Sequence, residues 1–71
     1  MTDREALAEV ERLIADCKNR VASQHEVIAN ALEKGHDTAV PVSMLRALEA
    51  RLSALEKDRQ DILDRLRSED R

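Results

Sequence analysis

Lys34-Gly35-His36-Asp37-Thr38-Ala39-Val40-Pro41 decides the fold, because this stretch carries both the single glycine and the single proline of the 71-residue chain. Lysine in a last helical turn faces the negative end of the helix dipole, and glycine just beyond it is the usual left-handed terminator. Asp37 or Thr38 can cap a second helix, with Thr38 the favoured cap, and Pro41 then falls in a first turn where its missing N–H is tolerated. Val40, preceding proline, is pushed away from helical angles, so the second helix starts near either 38 or 42. Upstream, Thr2 and Glu5 have the spacing of a capping box. The expectation is one all-α unit: a first helix over about 3–34, a turn over 35–41, and a second helix to about Arg67, before the charged end Ser68-Glu69-Asp70-Arg71.

Working outward from the turn, apolar residues recur at alternating spacings of three and four. Leu7, Val10, Ile14, Cys17, Val21, Gln24, Ile28 and Ala31 form one such seam, and Leu45, Leu48, Leu52, Leu55, Arg59, Ile62 and Leu66 form the other. This is the a/d pattern of a coiled coil, and folding the chain at the turn gives an antiparallel two-helix hairpin. A register in which facing residue numbers sum to 76 sets Ile28 against Leu48, Cys17 against Arg59 and Ile14 against Ile62. It also brings Lys18 beside Glu56, His25 beside Glu49 and Arg20 beside Asp58, with no like charges opposed. A dimer with helices swapped between chains would use the same contacts.

Composition narrows the function classes. The chain is 38% charged and 42% hydrophobic, with no Phe, Tyr or Trp, which argues against a compact core or ligand pocket built on aromatic bulk. A net charge of −3 argues against nucleic acid, whose phosphates need a clustered positive surface. No stretch approaches a membrane span. Asp3, Arg4 and Glu5 interrupt the place where a signal peptide would need an apolar run. A single cysteine points to a reducing cytoplasm. An open hairpin of this length buries little apolar surface by itself, so a second copy or another protein is expected to cover the rest.

Leu13, Val27 and Met44 are left over on the g flank, and Leu32, Val42 and Leu63 on the e flank. Ala8, Ala15, Ala22 and Ala29 repeat every seven residues, either as plain surface helix formers or as a ladder admitting another helix. Together these suggest a homodimeric four-helix bundle. Arg59 and Gln24 stand at seam positions. Such residues either fix register at a cost in stability or snorkel outward, and Asp16 or Asp58 is within reach of Arg59. No catalytic residue, cofactor site or metal site can be assembled. Cys17 reads as a small core residue without a base in reach, and His25 and His36 have no second ligand at helical spacing. An enzyme is not expected.

The run Gln24-His25-Glu26-Val27-Ile28-Ala29, then Leu32-Glu33-Lys34-Gly35-His36-Asp37-Thr38, resembles short uncharacterised helical-hairpin proteins of rhizobia and related alphaproteobacteria, which carry a Gly-His-Asp-Thr turn. The likeness extends to Leu45, Leu48, Glu49, Asp58, Arg59 and Leu66, and departs at Pro41 and in a one-place shift of Leu32. It implies a bacterial cytoplasmic protein and singles out Gly35, His36, Asp37, Thr38 and Arg59, but carries no activity with it. The leading expectation is a self-associating helical scaffold or protein-interaction module. The alternative is a regulatory partner, antitoxin-like or a signalling accessory, that docks its hairpin on a larger protein.

Overall fold

The computed structural model describes residues 1–69. Two helices, α1 (Asp3–Glu33) and α2 (Ala39–Glu69), pack antiparallel as a hairpin spanning 57 × 16 × 14 Å. The start of α1 is set by the capping box. The Glu5 amide donates to the Thr2 hydroxyl at 3.1 Å, and the Thr2 amide donates back to the Glu5 carboxylate at 3.3 Å. Its end is a Schellman turn: the Gly35 N–H donates to the Leu32 carbonyl at 3.1 Å and the His36 N–H to the Ala31 carbonyl at 2.8 Å.

Gly35 adopts φ +71°, and a Cβ built on it would meet nothing within 4 Å. The demand for glycine is therefore purely one of backbone angle. Gly35→Ala is expected to destabilise the hairpin by about 1 kcal/mol and lower Tm by about 5 °C. Thermal melts followed by circular dichroism measure this, and Gly35→Asn should recover part of the loss.

The second helix begins at Ala39, close to the earlier of the two expected starts, so residues 39–41, expected in the turn, are helical, and Val40 is helical despite preceding proline. Pro41 is the third residue of α2, where its missing N–H would have had no intrahelical partner. Thr38 holds the cap position through its backbone, its carbonyl accepting from the Val42 N–H at 3.0 Å. The side-chain bond at this end, however, comes from Asp37, whose carboxylate accepts from the Ala39 N–H at 3.0 Å. The acceptor one residue earlier is the carboxylate, the stronger of the two available. The helix also runs on through Ser68 and Glu69, two residues past the expected end near Arg67; the last two residues of the charged end, Asp70 and Arg71, lie outside the described residues.

The register differs from the expected one by a whole heptad. Groups that meet across the hairpin are Cys17 with the Leu48 carbonyl, Gln24 with the Pro41 carbonyl, Arg59 with Glu11, and Arg65 with Asp3. Their residue numbers sum to between 65 and 70. Since a helical carbonyl points one turn toward the C-terminus, these contacts define a register sum of about 69. Gln24 is thus layered with Leu45, Cys17 with Leu52 and Ile14 with Leu55, while Ile28 comes level with Pro41 rather than Leu48. A heptad shift keeps every a position against a d position, so the apolar pattern alone is blind to it. The turn decides instead. After Gly35 reverses the chain, non-helical His36, Asp37 and Thr38 return alongside the end of α1, and α2 begins beside its last turn rather than beyond it.

Candidate functional site: the loop end of the hairpin

Burial along the hairpin is lopsided. Among the described residues Val10, Ile14, Cys17 and Ile62 are the buried ones, all between mid-length and the end where the chain termini lie, with Leu7, Leu52, Leu55 and Leu66 packed around Val10, Ile14 and Ile62. From Lys18 to Asp61 no residue is buried. The cause lies in the seam: toward the loop, α1 offers Gln24 and Ala31, and α2 opens with Thr38 and Pro41, so the facing side chains are too small or too polar to seal the layers. Leu45, Leu48 and Ile28 remain half-buried there.

Most of the large exposed apolar side chains gather at this loop end. Val27 is 51% exposed, Met44 54%, Leu32 65% and Val40 71%. Val27 and Met44 come level with each other on the g flank. Val40, four residues before Met44 on the same side of α2, extends the patch. A groove of about 490 Å³ continues from it, lined by Ser23, Gln24, Met44, Ala47 and Leu48 with Asn19 and Arg20 at its far end. Leu32 stands apart on the e flank.

Of the six apolar residues expected to be left over, Val27, Leu32 and Met44 are exposed, whereas Leu13, Val42 and Leu63 are half-covered within the hairpin. Leu13 shares a groove with Val10 and Leu55. Val40 was not legible as a surface residue, because the following proline obscured the helical phase that places it above Met44. The alanines Ala8, Ala15, Ala22 and Ala29 are all exposed, on the opposite side of α1 from the Val27 patch.

The polar seam residues each find a partner. The Gln24 amide donates to the Pro41 carbonyl at 3.1 Å, bridging the helices where the apolar layers are weakest. Arg59 pairs with Glu11 at 3.3 Å rather than with Asp16 or Asp58. The new register brings Glu11 level with it, while Asp16 faces Arg20 at 3.4 Å. The Arg59–Glu11 pair is nearly half exposed on both sides, so it is worth tenths of a kcal/mol as an attraction. The Arg12 guanidinium donates to the Glu9 carboxylate one turn back along α1, and this bond and charge raise the Arg12 pKa.

The Gly35-His36-Asp37-Thr38 turn is engaged in its own construction: left-handed reversal, closure onto Ala31, cap of Ala39 and first helical acceptor. Cys17 is buried and free, its thiol donating to the Leu48 carbonyl at 3.4 Å. Among the described residues, no three His, Cys, Asp or Glu side chains gather where a metal ion would need them. Nor is any helix long and apolar enough to cross a membrane. The fold and site thus define an all-α helical hairpin with an unsealed apolar end. Comparison with protein-family models, with curated proteins and with solved structures finds no match.

Proposed function

We propose that this chain is a non-catalytic, self-associating helical interaction module of the bacterial cytoplasm, whose loop-proximal half is covered by a second copy. One observation carries the reading: burial stops at Cys17 and Ile62, while Val27, Val40 and Met44 stand in water at the other end of the same seam. A hairpin that is sealed at one end and greasy at the other gains stability by covering the open half with another chain's surface. The free buried cysteine supports a reducing compartment. The test is sedimentation equilibrium at micromolar concentration with circular dichroism alongside. The expected result is a helical dimer, and a helical monomer at tens of micromolar refutes it. Low helicity that rises only on adding a larger protein would favour a regulatory docking role instead.

A further inference from the structure

Resting on that reading, we infer that the second copy lies antiparallel along the Val27–Met44 flank over most of its length, held in that direction by Arg51 of each copy meeting Asp58 and Asp61 of the other. Three of the four large apolar side chains exposed at the loop end lie on this flank, and grooves of about 490 Å³ and 370 Å³ lie toward its two ends with a crevice of about 10 Å³ at mid-length between them. Its charges are sorted along the axis. At mid-length Arg20 and Arg51 line a crevice beside Cys17; Asp16, the sole acid there, pairs with Arg20 at 3.4 Å, which leaves the charge of Arg51 uncompensated. Further toward the termini Asp58 and Asp61 line another with Glu9 and Arg65. Glu9 and Arg65 are already paired, with Arg12 and Asp3, whereas Arg51, Asp58 and Asp61 are in no ion pair among the described residues.

The basic and acidic bands are about ten residues apart in level, on the order of 15 Å along the axis. A two-fold axis midway between them, near the level of Ile14, superposes each basic band on the other copy's acidic band. That axis lies about four residues from the middle of the hairpin, so the same operation overlaps the two copies over about four-fifths of their length. It also lays Val27 and Met44 over Met1 and Ala6 of the second copy.

Two other pairings are disfavoured for separate reasons. A parallel pair stacks apolar patch on apolar patch but forces four arginines together at its centre and the aspartates together below. A pair joined only at the loop tips avoids this, but gives up most of the flank. The overlapped part of the flank, about four-fifths of 57 Å by 14 Å, offers about 600 Å², the lower end of what each partner buries in a specific interface; half of the flank falls short.

The test compares dimer dissociation constants by sedimentation at low ionic strength, where surface charge is least screened. Arg51→Glu is expected to weaken the dimer about tenfold, and adding Asp58→Arg with Asp61→Arg should restore it. The single variant also relieves the crowding of Arg51 with Arg20 inside one hairpin, so the fold is not at risk, and circular dichroism checks it. An unchanged or tighter Arg51→Glu dimer overturns the antiparallel arrangement while leaving self-association standing. A monomeric wild type overturns both.

Discussion

Ile62→Asp is expected to abolish the hairpin, with helicity at 222 nm falling to that of a largely unfolded chain. Ile62 is the one buried residue of α2, 7% exposed, and it packs against Val10 and Ile14 in the sealed half. Removing a buried isoleucine side chain costs about 2–5 kcal/mol, and placing a carboxylate there without a partner adds at least about 1–3 kcal/mol. Small domains rarely have more than about 5 kcal/mol to lose. Leu45→Asp makes the same chemical change in a half-buried layer of the open end. There the carboxylate can reach water by a rotamer change, so the loss in the monomer is expected to be much smaller. Urea titration of both variants at low concentration checks the contrast. Equal destabilisation would mean that the two halves of the seam are sealed alike.

The same asymmetry shows where sequence reasoning reached its limit. The 3–4 spacing of Leu7 to Ala31 and Leu45 to Leu66 places both seams, and every seam residue is at least partly buried. Gly35 marks the reversal, and its φ of +71° follows from the same reasoning. What spacing could not decide was which heptad of one seam meets which heptad of the other. The flank charges agreed with the wrong choice: Lys18 with Glu56 and Arg20 with Asp58 are complementary in the expected register. The observed one sets Glu11 and Glu56 in one groove and Arg20 and Arg51 in another. Exposed pairs are worth tenths of a kcal/mol each, too little to outweigh the Schellman bonds and the Asp37 cap that fix where α2 begins.

Arg59 is the exception that records the true register. In the expected alignment it lies against Cys17 with Lys18 beside it, a like charge. In the observed one it lies against Val10 with Glu11 at 3.3 Å. The difference between attraction and repulsion at this layer opposes a slip by one heptad, which the apolar positions by themselves permit. The open loop end was the least legible feature. It arises from the layers that meet there, Gln24 with Leu45, Ile28 with Pro41 and Ala31 with Thr38, and those pairings are known only once the register is.

Replacing Val27 and Met44 together with aspartate is expected to dissolve the dimer while leaving each hairpin folded. Both side chains are about half exposed in the single chain, so the substitutions remove little intramolecular packing, and neither position takes part in a cap or a turn. In the assembly the two carboxylates would have to leave water against Met1 and Ala6 of the second copy, beside that copy's Asp58 and Asp61. Aspartate is too short to carry its charge out to the rim as lysine does. A penalty of about 3 kcal/mol raises the dissociation constant more than about a hundredfold. The control is Ala22→Asp with His25→Asp, which adds two acidic groups at exposed positions on the other side of α1. If the Val27–Met44 flank is the interface, sedimentation will find the control dimeric and the test variant monomeric. If the control alone falls apart, the alanine ladder is the surface that binds and the exposed patch serves something else. Only the first outcome is compatible with an interface at the open end of the seam.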